Sequence, residues 1–299
     1  MSSRTEEYVA QIASHFPDEI AEQVLNPTPQ VSESGIPYVR FRAPQPTQDG
    51  AFLLVPGFGE GIINKISFAA EMAYRGADMV LAGQNRGTGR DEDGERLDVL
   101  ENHAQRYQGI VDETGARKLL GHSFGAQIVD RMVREHPELY ADETVGLLAP
   151  SGTIADQTSL RITTQWLRMM RSESNPRRPE VSDPKGVTGQ ASAMELSKNV
   201  PLTIREMLAL RDREIDYDTL TQLVGRLLVV TYAEDYMFPD NLLEPRLARA
   251  VKAGATWIMP HNSASFASGL LKNGREGAVH DDEQYNPSRV VSALLDAWQ

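Results

Sequence analysis

Short apolar runs alternate with amphipathic segments along most of this chain, and this alternation limits the fold more than any other feature. Each run is bounded by Gly, Pro or polar residues; the runs are FLLV (52–55), MVLA (79–82), LL (119–120), VGLLA (145–149), LLVV (227–230) and WIM (257–259). Such runs are typical of strands that a parallel sheet buries on both faces. The amphipathic segments predict helices that end near Gly76, Gly115, Pro137 and Gly254, and a last one from Asn286-Pro287 to Trp298. We therefore predict βαβ units and an α/β fold, a mostly parallel sheet flanked by helices.

The alternation stops between residues 153 and 225, where no strand-like run occurs. This segment holds helical patches at 160–170, 191–198 and 202–210, with a Pro- and Gly-rich stretch in its middle. We predict that 153–225 is a helical cap over the carboxyl edge of the sheet, inserted into a core of residues 1–152 and 226–299. An independent helical domain is the alternative, which the short length of the insert disfavours.

Charge and composition narrow the class of partner. The 299 residues include 42 acidic and 30 basic side chains, and the net charge of −12 disfavours binding to a phosphate backbone or to anionic lipid. The chain has no cysteine, which excludes a cysteine nucleophile and thiolate metal sites. Charges lie where a signal peptide needs an apolar core, and no run is long enough to span a membrane. We expect a cytoplasmic protein that acts on a small molecule, with no nucleic-acid, membrane or metal partner; its oligomeric state stays open.

Residues 121–125 read GHSFG, a G-x-S-x-G pattern that directly follows the predicted strand at 119–120 and precedes a predicted helix. A serine on a sharp turn between strand and helix crowds its neighbours, so Gly121 and Gly125 must have almost no side chain. Ser123 Oγ then projects beside a helix N-terminus, whose free N–H groups favour developing negative charge. We predict that Ser123 is a nucleophile.

A serine nucleophile needs a base within hydrogen-bond reach, and the chain has six His residues. Two of them, His280 and His261, follow the last predicted strand and are expected at the carboxyl edge of the sheet. His280, in the loop before the final helix, is favoured, and His261 stays the alternative. His122 is expected to point away from its neighbour Ser123, and surface positions are predicted for His15, His103 and His136.

The remaining catalytic groups are predicted from the loops that follow other strands. A carboxylate that orients the base is expected from Glu234 or Asp235, which come after the strand at 227–230. The oxyanion needs backbone donors, and we predict the N–H groups of Phe124 and of Phe58, the latter in the glycine-rich loop VPGFGEG (55–61). That loop is not a dinucleotide-binding G-x-G-x-x-G, because Ile62 occupies the position of the last glycine.

Taken together, these motifs resemble those of the α/β-hydrolase superfamily over most of the chain. VPGFGEG is similar to the oxyanion loop, VLAGQNRGTGRD (80–91) to the D-x-R-G-x-G-x-S turn, KLLGHSFGA (118–126) to the nucleophile elbow and VVTYAEDYMFP (229–239) to the acid turn. In HDDEQYNP (280–287), His280 stands seven residues before Pro287, as the catalytic His of the family does. The resemblance implies a triad of Ser123, Asp235 and His280.

The chain departs from the family pattern at three places. Pro56 replaces the His that commonly begins the oxyanion loop, and Gln84 or Asn85 stands where the family has Asp. The acid turn has Ala233 in place of Gly and is one residue shorter, which leaves Glu234 as an alternative to Asp235. None of these changes removes a catalytic group.

The resemblance implies a serine hydrolase that needs no cofactor and works through an acyl-enzyme on Ser123. A carboxylic ester is the expected substrate; an aminopeptidase or a C–C-bond hydrolase on the same triad is the alternative, and a non-catalytic binding protein is a third hypothesis. The cap would select the substrate. An apolar pocket is predicted from large cap residues, with simple packing of cap on core as the competing interpretation; they are Trp166, Met169, Met170, Met194 and Met207.

Overall fold

An eight-stranded sheet forms the centre of the computed structural model, which describes residues 3–85, 98–153, 186–212, 214–232, 240–258 and 287–298. The strands are β1 (Gln30–Val31), β2 (Pro37–Phe41), β3 (Phe52–Val55), β4 (Met79–Ala82), β5 (Lys118–His122), β6 (Thr144–Leu148), β7 (Arg226–Val230) and β8 (Thr256–Ile258). Their order across the sheet is β1-β2-β4-β3-β5-β6-β7-β8. In this spatial order, all neighbouring strands from β4 through β3 to β8 are parallel. β2 runs antiparallel to both β1 and β4.

Helices cover both faces of this sheet. Those in the described part of the chain are α1 (Ser3–Ala13), α2 (Asp18–Leu25), α3 (Ile62–Tyr74), α4 (Val99–Thr114), α5 (Phe124–Glu135), α6 (Pro137–Tyr140), α7 (Val187–Ser197), α8 (Val200–Asp212), α9 (Tyr217–Leu223), α10 (Asp240–Lys252) and α11 (Pro287–Trp298). Alternate strand residues enter two separate cores. Leu53 and Val55 pack with α4, α5, α9 and α10, whereas Phe52 and Leu54 pack with α1, α2, α3 and α11. Burial on both faces explains why these strands are continuous apolar runs.

The predicted α/β architecture is confirmed, and every predicted apolar run contains or overlaps a strand. Two strands were missed. β1 has only two residues, and β2, PYVRF, mixes polar and apolar residues because it pairs antiparallel near the edge of the sheet. Gly115 ends α4 in the left-handed conformation, with φ at 71°, as its place after the apolar stripe predicted.

In the described residues of the segment predicted as a cap, the regular elements are the helices α7, α8 and α9, and no strand occurs there. The patches at 191–198 and 202–210 fall within or against α7 and α8, whereas the patch at 160–170 lies outside the described residues. Two contacts join the ends of the segment: Ile215 N–H donates to the Gly152 carbonyl at 2.9 Å, and the hydroxyls of Thr153 and Tyr217 are 2.7 Å apart. Both ends therefore leave the core at one place, which suits an inserted cap; the division into core and cap stays a prediction.

The strand order reverses around β3, because the chain passes from β3 to β4 on one side and returns to β5 on the other. Ligands of open α/β sheets bind in the crevice outside the carboxyl ends of the strands at such a reversal. The loop after β3 and the turn after β5 therefore meet at the position where a site is expected. Among the helices that the structure describes, none is long and apolar enough to cross a membrane.

Candidate active site

Ser123 lies between β5 and α5 in a backbone conformation that residues other than glycine rarely adopt, with φ at 49° and ψ at −114°. Such a conformation costs of order 1–3 kcal/mol and persists only when its surroundings hold it. Here the Ser123 N–H donates to the Leu148 carbonyl at 2.9 Å, and the Ser123 carbonyl accepts from the Ser151 N–H at 3.1 Å and from Ser151 Oγ at 3.0 Å. Backbone strain held by hydrogen bonds from the end of β6 and the loop after it is typical of a functional position.

The two glycines of GHSFG lie where a side chain has no room, as the sequence predicted. A Cβ on Gly121 would lie 2.6 Å from the Gly125 carbonyl oxygen and 2.7 Å from the Ala126 Cα. A Cβ on Gly125 would meet the backbone at the end of β3, including the Pro56 carbonyl oxygen at 2.8 Å. The glycines thus let α5 begin directly against β3 and β5, so Ser123 is held at the carboxyl edge beside the loop that follows β3.

A buried carboxylate connects that loop to the turn holding Ser123. Glu60 Oε2 accepts from the Gly57 N–H at 2.6 Å and lies 2.8 Å from His122 Nδ1, and Glu60 Oε1 lies 2.7 Å from Lys65 Nζ. The side chains of Lys65 and His122 are fully buried. A carboxylate has only acceptors, so His122 carries its hydrogen on Nδ1. The positive charge of Lys65 offsets the negative charge of Glu60, so the buried pair carries no net charge beside the turn.

Gly57 is fixed from the opposite side as well. Gln84 follows β4, is only 8% exposed, and its Nε2 donates to the Gly57 carbonyl at 2.7 Å. A Cβ on Gly57 would lie 2.8 Å from Glu60 Oε2 and 3.0 Å from His122 Nδ1, so only glycine fits at this position. Hydrogen bonds to both the N–H and the carbonyl of Gly57 therefore hold the loop of residues 56–61 in place.

A second buried pair joins the predicted cap to the core beside the turn. His103 Nε2 on α4 lies 2.9 Å from Glu206 Oε1 on α8, and both side chains are at most 2% exposed. The His103 ring also packs edge to face on Phe124, with their centroids 5.8 Å apart. The prediction that His103 is a surface residue is wrong, because α8 covers this part of α4.

The structure brings together three of the predicted site residues. Ser123 and Phe124 form the turn at the start of α5, and Phe58 lies in the loop after β3, half-buried against the core. The predicted triad partners Asp235 and His280, and their alternatives Glu234 and His261, lie outside the described residues. The predicted roles of all of them remain predictions.

The predicted pocket residues are only partly described. Met194 on α7 is 66% exposed and Met207 on α8 is half-buried, whereas Trp166, Met169 and Met170 lie outside the described residues. Leu196 packs over the loop after β3, since a Cβ on Gly59 would lie 2.9 Å from its Cγ. Asn64 at the start of α3 donates to Ser192 Oγ at 3.1 Å. These contacts place α7 against the loop.

Sequence reasoning missed the polar residues that support the loop, Glu60, Lys65 and Gln84. The available signal for Glu60 was a charged residue inside a glycine-rich loop. For Lys65 it was a lysine at the start of a largely apolar helix. For Gln84, the signal was its departure from the family pattern, because an amide can donate a hydrogen bond and a carboxylate cannot. Within the described part of the chain, no cluster of three or more His, Asp or Glu is placed to hold a metal ion.

Solved structures with this architecture are numerous. An esterase from Exiguobacterium antarcticum aligns over 91% of this chain and 99% of its own, with a TM-score of 0.61 and 12% identity. A hydrolase from Pseudomonas aeruginosa aligns over 91% and 97%, with a TM-score of 0.59 and 14% identity. An N-formylmaleamic acid deformylase from Pseudomonas putida aligns over 90% and 100%, with a TM-score of 0.57 and 14% identity. No family model and no curated protein matches the sequence. The similarity defines the fold: this protein has the α/β-hydrolase fold.

Proposed function

We propose that this protein is a serine hydrolase that acts on a small molecule through an acyl-enzyme on Ser123. The observation that carries the proposal is the strained backbone of Ser123, held at the switch point of the sheet directly before α5. A nucleophilic serine needs this placement, because its hydroxyl must project from the sheet edge toward both a base and backbone donors. The solved esterase, hydrolase and deformylase of the same fold support a hydrolytic reaction.

The proposed mechanism assigns one role to each predicted residue. His280, oriented by Asp235, removes the proton from Ser123 Oγ as the oxygen attacks the substrate carbonyl. The N–H groups of Phe58 and Phe124 donate to the oxyanion that forms. His280 then protonates the leaving group and activates the water that hydrolyses the acyl-enzyme. The Phe124 N–H suits this role, because the first N–H groups of a helix have no acceptor within the helix.

We propose a carboxylic ester as the substrate and the predicted apolar cap residues as the lining that selects it. An amide or a C–C bond is the alternative on the same catalytic groups. The reaction requires no metal or cofactor, and the proposed partner is a small molecule met in the cytoplasm. The acidic surface, with a net charge of −12, disfavours polyanionic substrates by repulsion.

Hydrolysis of p-nitrophenyl esters of increasing acyl length, set beside aminoacyl-anilides, tests the proposal and separates its alternatives. We expect ester hydrolysis by the wild type and its loss in Ser123→Ala, on the order of 10⁴-fold or more in kcat. Ser32→Ala is the matched control and should keep ester hydrolysis, because Ser32 is also a buried serine but its Oγ bonds Ser34 and the Ile36 N–H between β1 and β2. Equal ester hydrolysis by wild type and Ser123→Ala would refute the proposal.

A further inference from the structure

The peptide unit between Gly57 and Phe58 carries both a supported carbonyl and the proposed oxyanion donor. A trans peptide is planar, so the Gly57 carbonyl and the Phe58 N–H point in opposite directions within one rigid group. Whatever fixes the direction of the Gly57 carbonyl therefore also fixes the direction of the Phe58 N–H. Two donors fix it: the side chain of Gln84, whose Nε2 donates to this carbonyl at 2.7 Å, and the Glu60 N–H, whose longer bond to the same oxygen is 3.2 Å. The shorter of the two comes from Gln84.

Gln84 itself is attached to a rigid frame. The preceding residue, Gly83, donates its N–H to the Pro37 carbonyl of β2 at 2.7 Å, and its carbonyl accepts from Tyr107 Oη of α4 at 2.8 Å. On the next residue, Asn85 Nδ2 donates to Asn102 Oδ1 of α4 at 3.2 Å. β2 and α4 therefore hold the backbone on both sides of Gln84. Its buried side-chain amide reaches the loop from a fixed position.

The peptide unit on the other side of Gly57 is held independently. Its N–H donates to Glu60 Oε2 at 2.6 Å, and the same carboxylate is anchored by His122 and Lys65. The Gly57 N–H is consequently directed toward Glu60 and away from any substrate. Because both peptide units that flank Gly57 are fixed, the Phe58 N–H is the first donor of the loop that can face an oxyanion.

We propose that Gln84 is a positioning residue of the oxyanion hole, which aims the Phe58 N–H by holding the Gly57 carbonyl. The inference rests on the proposed function, because it supplies a role for Gln84 only in a reaction that forms an oxyanion. Gln84→Glu, assayed across the alkaline range where the new carboxyl is ionised, tests it with nearly unchanged shape, since an ionised carboxylate has no hydrogen to donate and repels the carbonyl oxygen. Gln84→Met removes the donor without burying a charge.

The experiment measures kcat and KM for one p-nitrophenyl ester and its thionoester in the wild type and in both Gln84 variants. Sulfur accepts hydrogen bonds more weakly than oxygen, so a working oxyanion hole favours the ester over the thionoester. In both variants we expect kcat for the ester to fall on the order of 10²-fold with little change in KM. We expect a much smaller loss for the thionoester, so that the ratio of the two rates falls.

Gln108→Glu is the matched control. Gln108 is also a buried glutamine, only 5% exposed, but it bonds Tyr140 and Asp112 and makes no described contact with the loop. We expect this variant to lose stability and to keep the wild-type ratio of ester to thionoester rates. A role of Gln84 in folding alone would give the same pattern, with both rates reduced equally.

Three results would overturn the inference, and they are distinguishable. Unchanged kinetics in both Gln84 variants, with an active wild type, would refute the positioning role and leave the proposed function standing. Equal losses for the ester and the thionoester would show that Gln84 serves the fold. A wild-type protein that hydrolyses neither substrate would overturn the proposed function and the inference with it.

Discussion

Gly125→Ala is predicted to destabilise the protein although it replaces a glycine inside a helix. Alanine in place of glycine normally stabilises a helix by about 1 kcal/mol. At Gly125, however, the new Cβ would overlap the Val55 carbonyl group, whose oxygen is its nearest neighbour, and would lie 2.8 Å from the Pro56 carbonyl oxygen, where ordinary contacts begin at 3.4 Å. Both are backbone groups at the end of β3, which no rotamer change can move aside.

The magnitude follows from these two opposing effects. Overpacking costs typically 1–3 kcal/mol, and contact with backbone puts this site near the upper limit. Gly125 lies in the first turn of α5, where the gain in helix propensity is at most about 1 kcal/mol, so we expect a net loss of at least about 2 kcal/mol in the free energy of unfolding. Because the clash lies between the turn and the loop, we also expect a loss of the proposed hydrolytic activity.

Gly109→Ala is the matched control, a helical glycine on α4 with room for a methyl group. Its Cβ would meet Ser34 at 3.5 Å, an ordinary contact, so this variant should gain about 0.5–1 kcal/mol. Urea unfolding followed by circular dichroism measures both variants against the wild type. Changes of the same sign in the two variants would refute the packing argument for the turn.

Three further predictions concern a contact of the predicted cap, a buried acid and the proposed catalytic base. Tyr217→Phe should lower the free energy of unfolding by about 1 kcal/mol, because it removes the buried hydrogen bond to Thr153; equal urea midpoints would contradict this. Burial raises the pKa of Asp130, so the folded wild type favours the protonated carboxyl. The contribution of Asp130 to the free energy of unfolding therefore decreases as the pH rises through that pKa. We therefore expect the free energy of unfolding of Asp130→Asn, relative to that of the wild type, to increase from about pH 3 to about pH 7. A relative decrease over this range would refute the assigned pKa direction. His280→Ala should reduce kcat on the order of 10³-fold or more while His261→Ala keeps it, and the reverse would identify the other base.

The sheet and the turn around Ser123 could be predicted because each depends on local sequence. Strands such as 52–55 and 227–230 are buried on both faces, so every residue in them must be apolar, and the resulting short apolar run is visible in the sequence. The glycines at 121 and 125 mark a backbone contact that tolerates no side chain. β1 and β2 gave no such signal, because antiparallel strands near an edge need no continuous apolar run.

The polar support of the candidate site could not be predicted, because it depends on contacts distant in sequence. Glu60 and His122 are 62 positions apart, and their hydrogen bond exists only once β3 and β5 are neighbours. Lys65 reads as an exposed charge on an amphipathic helix until the loop turns Glu60 toward it. The burial of His103 likewise depends on α8, which belongs to a different part of the chain.

We propose that Ser123 is an activated nucleophile, and covalent labelling tests this without assuming a substrate. The folded wild-type protein is incubated with a fluorophosphonate, and the labelled residue is identified by intact mass and peptide mapping. We predict one equivalent of label on Ser123, none on Ser123→Ala, and none on wild type unfolded in urea. Folded wild type that takes up no label, or takes it up at another residue, would contradict the account.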